Sequence, residues 1–323
     1  MVEFEGIKID YDFYDKVEDE SYVPNILYGD TDSIFIKLLD YEKFKKMGYE
    51  FKDKESVEKI EKELVLPAST KINSALVEFY NNYILKKLNV KKEYNRVDFK
   101  TEMIMSDILF LGVKKRYIYK LWKKEEAFFI PPKIKYTGIE LKRSDTARIT
   151  KDILNELIEL IMNENDIEIR KNRALEIVKK YKEIFSKTIK ELNLEYIGIP
   201  SNWSLRQYKQ DPSYILGARL YNTLIHDICR PGTKGYRIAI QIDPALIIKY
   251  IKENNIKGEF QLSIKDVKAD KITFLFVPPN FDKVKLKQVI DKGYFKIKHI
   301  SQYKAVIDDK IKIYLDIAVG KYD

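Results

Sequence analysis

Apolar and polar positions change rhythm twice along the chain. Asn25-Ile26-Leu27-Tyr28 and Ser33-Ile34-Phe35-Ile36-Lys37-Leu38 are apolar, β-branched runs on either side of Gly29-Asp30-Thr31-Asp32, a pattern that predicts a hairpin with a Gly-Asp turn. Residues 55–90 place apolar side chains at helical spacing, interrupted at Pro67, which predicts one kinked helix or two helices. Strand-like runs return at 96–107, 110–122 and 133–141. The first half therefore reads β-β-α-β-β-β, an antiparallel sheet with helices on one face. Upstream, Phe4-Glu5-Gly6-Ile7-Lys8-Ile9 alternates weakly, as a short strand leading into a linker would.

The texture changes near Ser144. Residues 146–163 and 169–192 read as amphipathic helices with Lys and Glu on their outer faces, and Asp145 or Ser144 is placed to cap the first. A third helix is expected at about 212–228, with His226 packed in its apolar stretch, and Arg230-Pro231-Gly232-Thr233-Lys234-Gly235 reads as a loop. Strands at 236–242 and 271–277 and short helices at 243–254 and 283–291 follow. The expected fold class is α+β. Its division is an acidic segment at 1–22, a sheet-rich domain at 23–145 and a mainly helical domain with a small β subdomain at 146–323.

Charge sharpens this division. The 323 residues carry a formal net charge of +9, but residues 1–22 hold eight acids against Lys8 and Lys16, leaving +15 on the rest. A body that basic points to a polyanion such as nucleic acid, or less often to an anionic membrane surface. Cys229 is the single cysteine, which excludes a disulfide framework and implies a reducing compartment. With only two histidines beside it, a structural zinc site is excluded as well. No apolar run approaches ~18 residues, and the acidic start does not read as a secretory leader, so transmembrane and secretory readings fall away and no membrane partner is expected ahead of nucleic acid.

The candidate chemistry sits on the first hairpin. In a strand, residues i and i+2 point to the same side, so Asp30 and Asp32 project together while Thr31 points away. Two carboxylates held close repel one another unless cations lie between them, and hard divalent ions such as Mg²⁺ take oxygen ligands. A bare Asp-x-Asp is more often an ordinary acidic turn.

The surroundings alter that balance. Tyr28-Gly29-Asp30-Thr31-Asp32-Ser33 between apolar strands resembles motif C of the family B (α-like) DNA polymerases, with the replicative enzymes of tailed bacteriophages as the nearest likeness and archaeal relatives next. Further along, Lys114-Lys115-Arg116-Tyr117, extended by Ile118-Tyr119-Lys120-Leu121-Trp122, resembles the family's basic-aromatic strand beside the primer–template minor groove. Minor-groove acceptors differ little between correct base pairs, so cationic donors there can test pair geometry without reading sequence. Gly138-Ile139-Glu140-Leu141-Lys142-Arg143 resembles the link from palm to thumb; Glu140 is expected to pair with a basic neighbour, and Arg143 to contact phosphate. Glu102 matches a palm carboxylate near the metal site. Tyr196–Pro200 and Gly217–Asn222 resemble thumb elements, with Tyr221 and Asn222 as packing and capping groups.

The resemblance implies the second part of a palm (23–145) followed by a thumb (146–323). It implies Asp30 and Asp32 as catalytic ligands of two Mg²⁺ ions, with Glu102 nearby. Lys114, Lys115, Arg116, Tyr117 and Arg143 would contact DNA. The family's motif A, fingers and exonuclease are not found, so the expected enzyme is a split DNA-directed DNA polymerase, inactive until joined by a partner chain carrying them. That partner would share the metal ions and bring dNTP to the primer–template. The implied location is the cytoplasm, a host's if the chain is viral, at replication sites. Val319-Gly320-Lys321-Tyr322-Asp323 does not match the clamp-binding peptide of phage relatives, so no sliding clamp is expected. The rival readings are a non-catalytic DNA-binding subunit and a protein scaffold.

Overall fold

A computed structural model describes residues 2–4, 7–9, 25–29, 33–94, 100–206 and 208–321. It is α+β with antiparallel sheets, as expected. The chain forms two compact units: Met1–Ile108 with Tyr119–Lys135, and Leu109–Ile118 with Tyr136–Asp323. The chain thus passes finally into the second unit at Tyr136, where the change in periodicity lies near Ser144. Most of the segment 1–22 lies outside the described residues.

In the first unit, β1 (Val2–Phe4) pairs with β2 (Ile7–Ile9), two strands where the alternation predicts one. β3 (Asn25–Gly29) and β4 (Ile34–Lys37) form the predicted hairpin, with a register shift between Ile26 and Tyr28. After the short helix α1 (Tyr41–Lys46), α2 (Lys54–Ile60) opens on an Asp53/Ser56 capping box. It continues through a π turn (Glu61–Val65) into α3 (Leu66–Phe79), a second π turn (Tyr80–Ile84) and α4 (Leu85–Lys87). Proline has no N–H and crowds the carbonyl four residues back. The helix absorbs Pro67 by widening just before it, where the Leu66 N–H reaches back to the Glu61 carbonyl.

β5 (Met103–Phe110), β6 (Tyr117–Lys124) and β7 (Ala127–Thr137) form a three-stranded sheet in that order. Val57, Ile104 and Trp122 make the core here with Phe51, Val65 and Phe128 packed around them, and the Phe51 and Trp122 rings stack at 5.2 Å. Buried Lys123 is compensated by both Glu61 oxygens at 2.5 and 2.6 Å. Of the strands expected at 96–107, 110–122 and 133–141, residues 96–99 lie outside the described residues and the rest is displaced by several positions, and Lys114-Lys115-Arg116 lie in the turn between β5 and β6 instead of in a strand.

The second unit contains a helical layer and a sheet. α5 (Arg148–Asn163) and α6 (Ile167–Lys190) fall within a few residues of their predicted limits and pack together, buried through Ile153, Leu154, Leu157 and Phe185. Neither Ser144 nor Asp145 caps α5; its N-cap is Ala147, and Asp145 turns to Arg143. After α7 (Leu194–Ile197) comes β8 (Ile199–Asn202), then α8 (Ser213–Leu224) and β9 (Lys234–Ile242). α9 (Pro244–Glu253), α10 (Ile264–Lys268), β10 (Phe274–Val277), α11 (Lys283–Asp291) and β11 (Phe295–Ile297) follow. The chain closes with α12 (His299–Tyr303), a π turn (Lys304–Asp308) and α13 (Asp309–Ala318).

β9 is the centre of this sheet: β10 pairs with it through Tyr236–Ala239, β8 through Lys234–Arg237, and β11 through Ile240–Ile242. Buried Gln302 bridges the Ala239 N–H and the Ile197 carbonyl at 2.8 and 2.7 Å. Asn222, also buried, donates to the Cys229 and Phe260 carbonyls and accepts from the Cys229 N–H. This bond pair folds the chain back just after α8, so the helix stops at Leu224 and His226 is exposed, not packed. Tyr221, fully buried, and Asn222 have the packing and capping roles expected of them.

Candidate nucleic-acid interface

The first component is the β3–β4 hairpin. Its register pairs Gly29 with Ile34 and Tyr28 with Phe35, whose rings lie 5.5 Å apart. Phe35 is buried, whereas Ile26, Leu27 and Ile34 are 58%, 40% and 38% exposed. Among the described residues these two strands pair only with each other. Asp30, Thr31 and Asp32 lie outside the described residues, immediately after Gly29 in the chain. Ser33 is partly buried at the start of the return strand.

The second component is the turn between β5 and β6. Leu111 N–H bonds the Arg116 carbonyl at 3.1 Å, and Arg116 N–H bonds the Val113 carbonyl at 3.1 Å. Gly112 and Lys115 both adopt left-handed backbone conformations, with φ of 67° and 63°. Two left-handed positions within four residues close a turn and end a strand. Lys114 and Lys115 are exposed at this tip, and Tyr117 begins β6.

The tip is tied to the Gly138–Glu140 segment, which the sequence singled out separately. Gly138 has φ +66°, and a Cβ there would stand 2.1 Å from the Lys115 carbonyl oxygen, so only glycine permits this approach. Arg116 Nη1 reaches Glu140 Oε1 at 3.3 Å. The second Glu140 oxygen accepts a 3.0 Å bond from the hydroxyl of fully buried Tyr314. Burial, with the Glu140 charge beside it, raises the Tyr314 pKa well above the ordinary phenol value. The expected role of Glu140 as partner to a basic residue is therefore what the structure shows.

The remaining candidates are paired within the protein. Arg143 holds Asp145 with two bonds, Nε to Oδ1 at 2.9 Å and Nη2 to Oδ2 at 2.8 Å. That hydrogen bonding lowers the Asp145 carboxyl pKa. Glu102 forms a 2.8 Å ion pair with Lys124, both side chains about half exposed. Among the described residues no group of three or more His, Cys, Asp or Glu is placed to hold a metal ion. The Asp30 and Asp32 carboxylates, the hard oxygen donors that the sequence offers for magnesium, lie outside the described residues. Tyr314 is the participant that sequence reading missed; it lies 174 positions from Glu140, with no local signal linking the two.

Over 156 residues the chain is 27% identical to the DNA polymerase delta catalytic subunit of Candida albicans, covering 48% of this chain and 12% of that one. Over 156 residues it is 29% identical to the DNA-directed DNA polymerase of Escherichia phage RB69, covering 44% of this chain and 16% of that one. No protein-family profile matches. Among solved structures, the family B DNA polymerase of Pyrobaculum calidifontis aligns with 76% of this chain and 24% of its own, at 15% identity and a TM-score of 0.38. Over about half of its length the chain is thus similar in sequence to family B DNA polymerases. It spans only a small fraction of the length of these relatives. Among the described residues no helix is long and apolar enough to cross a membrane.

Proposed function

We propose that this chain supplies the second part of the palm, 23–145, and the thumb, 146–323, of a split DNA-directed DNA polymerase. The observation that carries the reading is the 156-residue similarity to two DNA polymerases. In this reading Asp30 and Asp32 hold two magnesium ions jointly with a partner chain that brings motif A, fingers and exonuclease. What magnesium would supply there is Lewis acidity at the α-phosphate and a more acidic primer hydroxyl. Glu102 could join the carboxylates only by exchanging the Lys124 ammonium for a metal ion.

The chain's own work is positional. Lys114, Lys115 and Tyr117 face the primer–template from a tip that Gly138 and Glu140 hold in place, so little ordering remains to be done on binding. Arg116 keeps the tip attached and adds positive charge. Arg143 reaches phosphate by trading away Asp145.

The test is Mg²⁺-dependent primer extension by this chain alone and together with a candidate N-terminal polymerase half. Extension only in the mixture is expected, and Asp32→Ala should lower it by about a thousandfold, equivalent to ~4 kcal/mol of transition-state stabilisation. Near-normal extension by Asp32→Ala would overturn the catalytic assignment. No extension in either case, with salt-sensitive duplex binding retained, would favour the DNA-binding subunit; loss of ~10³–10⁵ in affinity between ~50 and ~200 mM salt marks that behaviour.

A further inference from the structure

The second unit carries an arginine–tyrosine cluster that the polymerase reading does not use. It lies where the loop after β8 meets the start of α8 and the β9–β10 pair. Arg206 stands over the Tyr208 ring at 5.9 Å, and the Tyr208 and Tyr214 hydroxyls meet at 3.2 Å. Arg237 stands over Tyr214 at 5.9 Å and over Phe274 at 5.7 Å. These five side chains form one chain of contacts between cations and rings, exposed at Arg206 and Tyr208 and partly buried at Tyr214, Arg237 and Phe274.

Arg116, Arg143, Arg173, Arg219 and Arg230 each hold a carboxylate. Among the described residues, Arg206 and Arg237 hold none, a state they share with exposed Arg148, but they alone of these three stand over aromatic rings. Arg206 is exposed, Lys209 beside it is exposed, and Tyr208 is 38% exposed. A guanidinium fixed by stacking, with its N–H groups uncommitted to carboxylate, is preorganised for phosphate oxygens. An exposed tyrosine next to it offers a stacking platform for a base. Bases inside a duplex are already stacked, so the platform selects unpaired nucleotides.

We propose that Arg206, Tyr208, Tyr214 and Arg237 form a binding site for single-stranded nucleic acid. Arg206 and Arg237 take successive phosphates, Tyr208 stacks one base, and Tyr214 holds Arg237 in position. The site is independent of Asp30 and Asp32, so it stands or falls separately from the polymerase assignment.

The experiment is fluorescence anisotropy of the full chain with a fluorescein-labelled oligo(dT) of about a dozen nucleotides, and with a blunt duplex of the same length. Tyr208→Ala is expected to weaken oligo(dT) binding by about five- to tenfold and duplex binding by less than about twofold, while Tyr208→Phe stays within about twofold on both. Arg206→Glu should weaken oligo(dT) by about tenfold. An unchanged oligo(dT) affinity in Tyr208→Ala, or equal loss on both probes, overturns the proposal. Photo-crosslinking of oligo(dT) to the unaltered chain gives a second reading free of folding effects: adducts on 204–214 support the site, and adducts confined elsewhere overturn it.

Discussion

The β3–β4 hairpin and the β5–β6 hairpin each border charged residues singled out by the sequence, yet they are supported in different ways. β3–β4 is a two-stranded ribbon with Ile26, Leu27 and Ile34 exposed and one buried aromatic, Phe35. Such ribbons are marginal by themselves, and an exposed apolar edge invites another strand. The tip between β5 and β6 is instead anchored internally, by the Gly138 close approach, the Arg116–Glu140 pair and the Tyr314 hydroxyl. The difference teaches where self-sufficiency is needed. In the proposed polymerase, a basic tip gains from being rigid before the polyanion arrives, whereas the ribbon would draw its order from the partner's strands.

Breaking the anchor should have the largest effect. Gly138→Val places a Cβ against the Lys115 carbonyl at a left-handed φ, and a loss of about 3 kcal/mol in urea denaturation is expected. A loss below about 1 kcal/mol would mean that the tip yields easily, and the contrast with β3–β4 would disappear.

Next comes the shared carboxylate. Glu140→Gln removes the charge that Arg116 and Tyr314 both use, for an expected loss of about 2 kcal/mol; Tyr314→Phe should cost about 1 kcal/mol. Because both act through one residue, the double variant should fall short of the sum. Full additivity would show that Tyr314 does not support the pair.

A smaller effect concerns acid. The Arg143 hydrogen bonds lower the Asp145 carboxyl pKa below 3.8, outweighing the opposing effect of burial. A carboxyl pKa lower in the folded than in the unfolded chain stabilises above the unfolded value, and that contribution is lost as pH falls from about 3.8 through the folded value. Asp145→Asn should therefore lower stability at neutral pH by no more than about 1 kcal/mol, since the pair is half exposed, and should narrow its difference from the unaltered chain as pH falls below about 3.8. A constant difference across the acid range would contradict the assignment.

The smallest effect on stability is expected on the ribbon itself. Ile26→Thr, at a position 58% exposed, should change the unfolding free energy of this chain by less than about 0.5 kcal/mol. In the proposed polymerase it should weaken association with the partner chain, read by analytical ultracentrifugation. A large loss in the chain alone would show that the ribbon is already covered.

Periodicity made much of this legible. The strong apolar stripes of α5 and α6 located both helices, and the β-branched runs around Asp30 located β3 and β4. The turn at 111–116 reads as strand in the sequence because Val113 and the apolar flanks of the basic run conceal the left-handed backbone at Gly112 and Lys115. The apparent break at Pro67 is a local widening of a continuing helix, since a π turn advances the register by one residue and shifts the stripe; a second widening follows at Tyr80–Ile84. His226 followed helical periodicity on paper, but the Asn222 side chain ends the helix before it. The Glu140–Tyr314 bond joins segments too far apart in sequence for any pattern to reveal.

The buried Cys229 has a practical consequence. It is fully enclosed, clasped through its backbone by Asn222, and burial pushes its thiol up to about 12, so it offers little thiolate to alkylating reagents near neutral pH. A single Lys114→Cys change would then give a chain with one reactive sulfur, on the basic tip. A dye attached there could follow the arrival of DNA in real time without first engineering away the native thiol.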